Sequence, residues 1–571
     1  MDRRLIFAAA LSVAILVVWN WLVPQPRPPA QLPAAAAPVA AALPDVPEPR
    51  GADEPDRDDR PAAAVAAERI EAATEDTIEI DNGVFRVALS NRGAGAVSWR
   101  LTQYTQAGGE PLELLPQFAD LRSGMFTLDL GDELLNETVA RALYRVERVR
   151  VSGEPGGERV SFRWSDGRGL EVTKSVTFRR DDYLVDLHAE VRDRGRPRPA
   201  RLVLGPGFSA QERSQSGLGS YEYEAVVWND RGHVTHRKKR KLSPEVEGVA
   251  GRIQWAGLED QYFAAIAIPK SPQGDVVWWA VERVLPGAEA DGKEPEPEKQ
   301  PFVGLPLPPE GATLFVGPKK YSLLSTLGND LQKSVWFSSN VFLAWISRHI
   351  FLGLLWIHEH TVRNYGMSII LATFLLRLLL FPVNQYSMVS MKKAQLQMQK
   401  LQPKIKGIRA KYKKAKDAES RGRMNQEMMD LYKREGVNPM GGLTGCLPLL
   451  AQFPILIAFY NMLTVAVELR GADFFGWIHD LSQRDPLWVL PLLMGGTMFL
   501  QQRMAMSKIK DPMQQQQQKI MMFMPVFFTW ICLQMPSGMV LYWFVNNVLG
   551  IGQQWLVNRH TSRLEAAAQE A

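Results

Sequence analysis

One charged residue stands inside a strongly apolar stretch of the chain. Residues 368–383 read SIILATFLLRLLLFPV, with Arg377 near the middle and Thr373 four residues earlier. Residues four apart share one face of a helix. An arginine at the centre of a membrane-spanning helix costs about 2.5–3.5 kcal/mol on insertion scales. No Asp or Glu lies in the last five apolar runs to pair with it. Arg377 therefore predicts a water-filled cavity among the helices, open to the cytoplasm.

Polar side chains in other apolar runs are further candidates for this cavity. Gln452 and Gln534 each stand alone, and such amides most often form one helix–helix hydrogen bond, worth roughly 0.6 kcal/mol. The last run has a partly polar face at helical spacing, formed by Met539, Trp543, Asn546 or Asn547, Gly550 and Gln553. We take Gln452 and Asn546 as groove candidates beside Arg377.

Motifs for enzymatic chemistry are lacking. GAEADGKE (287–294) nearly matches a phosphate-binding loop, but Glu294 stands where the hydroxyl ligand of Mg²⁺ belongs. His358 and His360 are two apart and point in different directions on a helix, which makes a poor metal pair. Cys446 and Cys532 have no metal-ligand spacing. The sequence predicts no enzyme, no cofactor and no metal site.

Loop charges predict how the apolar runs cross the membrane. The runs cover 365–383, 447–467, 486–500, 520–536 and 538–557, and an N-terminal run at 5–23 precedes them. The loop 386–436 has a net charge of +9, the loop 468–485 has −2 and the loop 501–519 has +3. Basic loops stay in the cytoplasm. Six spans with both termini inside satisfy this rule, although the 15 residues of 486–500 form a short span.

The N-terminal 330 residues contain an anchor, a linker and a strand-rich region. Residues 1–23 predict an uncleaved anchor, and a cleaved signal peptide is the alternative. Residues 24–68 contain 11 prolines and 14 alanines and predict a disordered linker. Within 69–330 the apolar residues alternate, as in Tyr183, Val185, Leu187, Ala189 and Val191. This period predicts a β-sandwich domain outside the membrane.

Two helical segments accompany the spans. Residues 331–363 predict an amphipathic helix on the outer membrane surface, with Trp345, Ile346, Ile350, Leu354 and Ile357 as its apolar stripe; a spanning helix is the alternative. Residues 386–436 predict a basic cytoplasmic helical hairpin, and this hairpin has too few aromatic residues for specific nucleic-acid binding.

Methionine is concentrated in the membrane region. Of 21 methionines, 19 lie at or after residue 367. Met adapts to varied partners, although most Met residues simply fill gaps between helices. Met521 and Met524 are candidates for an apolar slide that varied segments could follow.

Several core motifs together resemble one family. The runs ATFLLRLLLFPVNQYSMVSMKKAQLQMQKLQPKI, GVNPMGG, FPILIAFYNML, DPMQQQQQKIMMFMPVFF and PSGMVLYWFVNN are similar to the bacterial YidC membrane protein insertase family. The resemblance covers the whole chain. It implies a multi-pass α-helical inner-membrane protein with a five-helix core at 364–557 and a large periplasmic all-β supersandwich resembling sugar mutarotases, without known catalysis.

The resemblance also implies roles for residues and partners. Arg377 falls on the family's groove arginine, Thr373 and Trp543 on two positions important for activity, and Phe453 and Pro454 where the third span meets substrate. Nascent inner-membrane proteins would be the clients, alone or beside the Sec translocon, within membrane lipids. The tail 558–571 is short and only weakly basic, so the hairpin is the candidate contact for a ribosome or targeting receptor.

Two other classes of protein remain as alternatives. A transporter or channel with a periplasmic ligand-binding domain would also use a wet intramembrane arginine. Transporters commonly contain inverted repeats, and five core helices do not divide into equal halves. A periplasmic carbohydrate enzyme anchored by helices would leave Arg377 and the hairpin without a purpose.

Overall fold

The structure is a computed structural model. It describes residues 68–106, 109–116, 125–151, 157–209, 224–272, 274–283, 297–412, 418–436, 447–505 and 512–570. The predicted anchor (1–23) and all but the last residue of the predicted linker (24–68) lie outside these residues. At some helical positions, among them Gln452, Phe453 and Met521, only the backbone is described.

The strand-rich region is an all-β domain, as its alternating pattern predicts. Tyr183, Val185, Leu187 and Val191 are buried, and polar neighbours between them point outward. The strands are β1 Thr77–Asp81, β2 Phe85–Ser90, β3 Gly95–Thr105, β4 Pro111–Glu113, β5 Thr127–Asp129, β6 Arg145–Arg150, β7 Glu158–Ser165, β8 Leu170–Phe178, β9 Leu184–Asp193, β10 Arg196–Pro197, β11 Arg201–Leu204, β12 Ala225–Asp230, β13 His233–Lys238, β14 Glu247–Ala250, β15 Ile253–Glu259, β16 Phe263–Pro269, β17 Asp275–Arg283, β18 Glu298–Pro306 and β19 Ala312–Pro318.

These strands form three antiparallel sheets. The largest runs in the order β13-β12-β15-β16-β19-β9-β8-β7-β6, with β10 beside β9. A five-stranded sheet runs β14-β17-β18-β11-β5, and a four-stranded sheet runs β1-β2-β3-β4. Apolar side chains from these sheets share one core that includes the fully buried Phe85, Trp99 and Trp255. Phe85 of the small sheet packs edge-on against Phe178 of the large sheet, with ring centroids 6.2 Å apart, and so joins the two sheets.

One lysine occupies an apolar position of the large sheet. Lys174 alternates with the buried Val172 and Val176 along β8 and is itself 2% exposed. Its ammonium donates to the carbonyl oxygens of Ala94 and Phe126. Burial lowers the pKa of Lys174 to about 7, because an ammonium ion away from water is destabilised.

The remaining elements described here are helices, and one of them lies between strands β5 and β6 of the β domain. They are α1 Glu133–Arg141, α2 Tyr321–Leu327, α3 Val341–His360, α4 Tyr365–Lys411, α5 Ala418–Arg434, α6 Leu447–Val465, α7 Val489–Ala505, α8 Pro512–Cys532 and α9 Ser537–Glu570. Helix α9 packs against α7 and α4, and α3 packs against α6 and α4. The predicted core runs thus correspond to α4 and α6–α9.

The first core run and the first arm of the hairpin form one helix. The run 365–383 and the hairpin 386–436 were assigned to separate segments, and α4 continues through both from Tyr365 to Lys411 with Pro382 and Pro403 inside it. Each proline removes one backbone hydrogen bond, yet the flanking residues are mostly strong helix formers. The last helix likewise continues past 557 to Glu570 through the segment predicted as a separate tail.

The hairpin has the small apolar core that its spacing predicts. Leu401 and Ile405 of α4 are buried against Met428, Leu431 and Tyr432 of α5. Ion pairs join the two arms on the exposed side, from Lys404 to Glu435 and from Lys411 to Glu427.

Helix α3 packs one side against the rest of the protein and leaves the other side exposed. The buried residues are Leu343, Ser347, Phe351, Leu354 and Ile357, whereas Trp345 is 59% exposed. The apolar stripe predicted to lie on the membrane surface shares only Leu354 and Ile357 with the buried side, and its contact with the membrane stays a prediction.

By length and composition, two described helices are able to span a membrane. They are Val341–His360 and Tyr365–Pro382, with shorter apolar helices at Pro454–Val465 and Met522–Cys532. The first of these is α3, which we had expected on the membrane surface. The number of spans and the position of α3 remain predictions.

Candidate functional site

Arg377 lies on α4 where α9 and α7 approach it. Its side chain is half-buried, and its Nε atom has no hydrogen-bond partner among the described residues. The neighbouring position on α9 is Gly550. A β-carbon there would lie 2.9 Å from Arg377 Nη2 and would overlap Gln501 Nε2 of α7. Glycine at 550 therefore leaves the space in which the guanidinium and the Gln501 amide meet α9.

Gln501 is a site residue that the sequence analysis missed. The fourth apolar run ends at Leu500, so Gln501 was assigned to the following loop. The structure continues α7 to Ala505, and Gln501 thus lies on a helix beside Gly550. The missed signal is the pair Gln501–Gln502, because a glutamine has good helix propensity and does not end a helix.

Thr373 lies one turn before Arg377 on the same helix, as predicted. It is 1% exposed, and its hydroxyl donates to the carbonyl oxygen of Ile369 at 2.6 Å. Threonine commonly makes this backbone contact in helices. The hydroxyl proton is therefore already used within α4.

The aromatic and amide residues of α9 divide into two groups. Trp543 is half-buried and packs edge-on against Phe528 of α8, with ring centroids 5.3 Å apart. Asn546 is half-buried, so it stays a groove candidate. Asn547 is buried, and its Nδ2 donates to the Met494 carbonyl oxygen of α7 at 3.4 Å. The structure thus assigns the helix–helix contact to Asn547 rather than to Asn546.

More amides lie further along α4 and α9. Gln553 Nε2 is 3.4 Å from both the Phe381 carbonyl oxygen and Gln385 Oε1. Gln553 Oε1 and Asn384 Nδ2 are buried without a hydrogen-bond partner among the described residues. Buried polar atoms are normally satisfied by protein or water. Water in a cavity between α4 and α9 would satisfy these two polar atoms and Arg377 Nε.

The predicted slide is described only in part. Pro454 is half-buried inside α6, and Met524 is 41% exposed on α8. The side chains of Gln452, Phe453 and Met521 lie outside what the structure describes. Helix α8 exposes further large apolar side chains, namely Met522, Phe523, Val526, Phe527 and Trp530. Such a surface suits lipid or an apolar polypeptide segment.

The arrangement combines cationic and amide donors with an open apolar flank. It can attract anions, hold water and accept peptide groups, because carboxamides both donate and accept hydrogen bonds. Among the described residues, no group of three or more His, Cys, Asp or Glu side chains is placed to hold a metal ion.

Family models match nearly all of the described chain. The model of the YidC periplasmic domain matches residues 77–352, and the model of the 60Kd inner membrane protein matches residues 356–564. The class is therefore an inner-membrane protein whose β-sandwich domain is periplasmic.

Full-length relatives narrow this class. Membrane protein insertase YidC of Syntrophus aciditrophicus (strain SB) is 32% identical over 98% of this chain and 100% of that protein. The protein of the same name from Geobacter metallireducens is 31% identical over 99% of this chain and 100% of that protein. The chain belongs to the YidC membrane protein insertase family. Among solved structures, an active YidC insertase with its first transmembrane domain resolved covers 86% of this chain and 94% of that chain, with 16% identity and a TM-score of 0.36.

Proposed function

We propose that this protein inserts nascent inner-membrane proteins into the membrane and helps them to fold, alone or with the Sec translocon. The observation that carries the proposal is the environment of Arg377, a half-buried cation on an apolar helix whose Nε lacks a hydrogen-bond partner among the described residues. Family membership supports the same activity. The site holds and moves a polypeptide and carries out no bond chemistry.

The mechanism follows from the energy of moving a polar tail through lipid. A groove lined by Arg377, Thr373, Gln452, Trp543 and Asn546 would keep the tail hydrated for part of the crossing, so the dry path is shorter. Helix α7 has 17 residues, about 25 Å at 1.5 Å per residue, which is less than the hydrocarbon thickness of about 30 Å. A short helix thins the bilayer locally and shortens the path further.

The apolar part of the client would leave along the exposed flank. Phe453, Pro454, Met521 and Met524 are the proposed slide, supported by the exposed apolar face of α8. Transfer of the client segment into lipid provides the driving force, because each buried CH₂ group contributes about 0.8 kcal/mol. Arg377 would attract acidic residues in the tail while the segment moves.

The cytoplasmic hairpin is the proposed contact for a ribosome or targeting receptor. Its loop sequence has a net charge of +9, and charges of one sign attract an oppositely charged surface over roughly 10 Å at moderate salt. The apolar contact between α4 and α5 holds the two arms together.

The proposed topology has six spans, with both termini in the cytoplasm and the β domain in the periplasm. Single cysteines in 386–436 and in 468–485 should react with an impermeant thiol reagent from opposite sides of the membrane, because these loops differ in charge. Labelling of both positions from the same side would contradict this topology.

The proposed function is tested by depletion followed by reconstitution. Cells depleted of the protein should lose insertion of small single-span proteins, and purified protein in liposomes should restore it. The alternative, a transporter or channel with a periplasmic ligand-binding domain, predicts that insertion continues and that uptake of a solute fails instead.

A further inference from the structure

The segment that follows α6 joins the helical core to the β domain. It runs from Ala466 to Arg470 and contains a 3-10 turn at Val467–Leu469. The carbonyl oxygen of Thr464, in the last turn of α6, accepts a hydrogen bond from Gln261 Nε2 of the β domain. Two charged side chains of the segment, Glu468 and Arg470, make separate contacts to the same domain.

Arg470 packs against the loop between β15 and β16. Its guanidinium carbon lies 5.5 Å from the ring centroid of Tyr262 and 5.7 Å from that of Phe263. Its Nη2 also donates to the Thr105 carbonyl oxygen, at the end of β3, at 3.3 Å. Arginine suits this position because its planar head stacks on aromatic rings while its edge donates hydrogen bonds.

The loop that Arg470 contacts is rigid. The carboxylate of Asp260 accepts from the backbone N–H groups of Tyr262 at 2.8 Å and Phe263 at 2.6 Å. Phe263 is fully buried, and Tyr104 packs edge-on against it at 5.3 Å. Arg470 therefore holds a fixed surface rather than a flexible tip.

Glu468 holds the segment that leaves the β domain. Its Oε1 accepts from the backbone N–H of Tyr321, the first residue of α2, at 3.0 Å. Tyr321 continues the contact, since its ring packs edge-on against Phe351 of α3 at 5.8 Å and its hydroxyl accepts from Arg348 at 3.1 Å. Burial raises the pKa of Glu468, and the Tyr321 N–H acts in the opposite direction. Glu468 is half-buried, and its hydrogen bond to the first residue of α2 fixes where the segment meets the β domain.

Helix α6 links this junction to the candidate groove. Phe459 of α6 is buried and stacks on Tyr542 of α9 with ring centroids 4.0 Å apart. Tyr542 directly precedes Trp543 on α9. The periplasmic end of α6 is thus held by the β domain, its middle contacts α9, and its other half includes Pro454 of the proposed slide.

We propose that Glu468 and Arg470 form a latch by which the β domain fixes the outer end of α6 and so sets the position of the groove wall. They are positioning residues and do not touch the client. The inference rests on the proposed function for its effect on insertion, whereas the docking itself is independent of it.

The test measures docking and insertion in the same full-length variants. Spin labels at Val246→Cys in the β domain and Phe475→Cys in the core, in a Cys446→Ser, Cys532→Ala background, report the distance between the two parts. Both labelled positions are exposed, and the Phe475 loop is tied to α4 by hydrogen bonds from Asn364 to Asp473 and Phe474. Insertion is measured in liposomes with a single-span client.

The variants separate the two halves of the latch. Arg470→Ala with Glu468→Ala should broaden the distance distribution and slow insertion by about two- to fivefold, since the cation–π contacts of Arg470 and two hydrogen bonds are lost. Glu468→Gln keeps an acceptor for the Tyr321 N–H and should dock and insert like the native chain. Arg484→Ala is the matched control, because Arg484 is an exposed arginine on the same side of the core.

Each outcome decides one part of the proposal. An unchanged distance distribution in the double variant would rule out the latch. A broadened distribution with normal insertion would show docking without a role in positioning. If the native chain inserts no client, the proposed function fails, and the distance measurement still decides whether the latch exists. A single Glu468→Ala variant is measured in parallel, and Glu468→Gln behaving like it would show that the carboxylate charge, and not the hydrogen bond from the Tyr321 N–H, holds the segment.

Discussion

Lys174 in the β domain and Arg377 in the helical core are both cations without a carboxylate partner among the described residues, but their surroundings differ. Lys174 is buried, and two backbone carbonyl oxygens accept hydrogen bonds from its ammonium group. Arg377 is half-buried, and its Nε lacks a partner among the described residues. One cation is enclosed in a packed core, and the other is only half-buried between helices.

The carbonyl partners of Lys174 explain why a lysine belongs in the β domain. Ala94 and Phe126 both have positive φ angles, 51° and 74°, which are unfavourable for residues with side chains. The ammonium binds the carbonyl oxygen of each and stabilises these two strained turns. A lysine is also able to release its proton when burial becomes too costly, whereas arginine stays charged. A permanent cation therefore has to keep contact with water or an anion.

The largest effect is expected when Arg377, the half-buried cation, is removed. Arg377→Ala should reduce insertion of clients with acidic tails by more than about tenfold, because a charge pair at 4 Å is worth roughly 4 kcal/mol at an effective dielectric of about 20, before desolvation. Insertion of a client with a neutral tail should fall less. The measurement is the yield of protease-protected client in liposomes that contain equal amounts of folded protein.

Arg377→Lys is the matched control for this prediction. It retains the charge but loses the planar head, and it should keep much of the activity if attraction is the main role. Equal losses for acidic and neutral tails in Arg377→Ala would contradict the electrostatic role and would leave Arg377 as a residue that keeps the groove hydrated.

Lys174, the buried cation, should affect the unfolding free energy and the way that this free energy depends on pH. The pKa of Lys174 is about 7 in the folded protein, below the ordinary lysine value of 10.5. The unfolded state therefore binds more protons between these values, and stability rises as the pH increases through this window. From pH 7.5 to 9.5 the gain from Lys174 should be roughly 2 kcal/mol.

Lys174→Met removes the titrating group and isolates this contribution. The unfolding free energy of the native protein minus that of Lys174→Met should increase by roughly 2 kcal/mol from pH 7.5 to 9.5. Pulse proteolysis of the β domain in urea, on full-length protein in detergent, measures both free energies. A difference that does not change with pH would mean that Lys174 keeps its proton throughout and is compensated by the two carbonyl groups alone.

The two cations also show what periodicity predicts and where it fails. Alternation identified the strands around Tyr183 and helical spacing placed Thr373 beside Arg377, because both patterns are local. The same alternation puts Lys174 at an inward position of β8, but only the tertiary fold brings Ala94 and Phe126 to its ammonium. A local pattern gives the direction of a side chain and leaves its partners undetermined.

Errors at element ends have a related cause. The length of an apolar run indicates how much of a helix lies in lipid, and it does not give the length of the whole helix. The structure extends α7 beyond Leu500, where Gln501, Gln502 and Arg503 are good helix formers, and it also extends α4 beyond Val383. The first extension brings Gln501 to the candidate site, and the second joins the groove helix to the hairpin.

The smallest effect is expected from closing the space beside Arg377. In Gly550→Ala the new methyl group would overlap Gln501 Nε2 and lie 2.9 Å from Arg377 Nη2. Both are ends of flexible side chains, so the helices keep their positions while the guanidinium moves. Alanine also favours a helix over glycine by about 1 kcal/mol, so stability should not fall. Insertion of acidic-tailed clients should decrease by about two- to threefold, since a shifted guanidinium loses part of its interaction with the tail.

Gly552→Ala provides the matched control for this substitution. It lies on the same helix, and a β-carbon there has no atom within 4 Å among the described residues, so it gains the same helix propensity without displacing Arg377. Combining Gly550→Ala with Gln501→Ala restores space on one side and should recover part of the activity. Parallel insertion assays and thermal unfolding of the three variants measure these effects. If Gly550→Ala and Gly552→Ala insert acidic-tailed clients equally well, the position of the guanidinium is not what limits capture, and the groove requires only its charge.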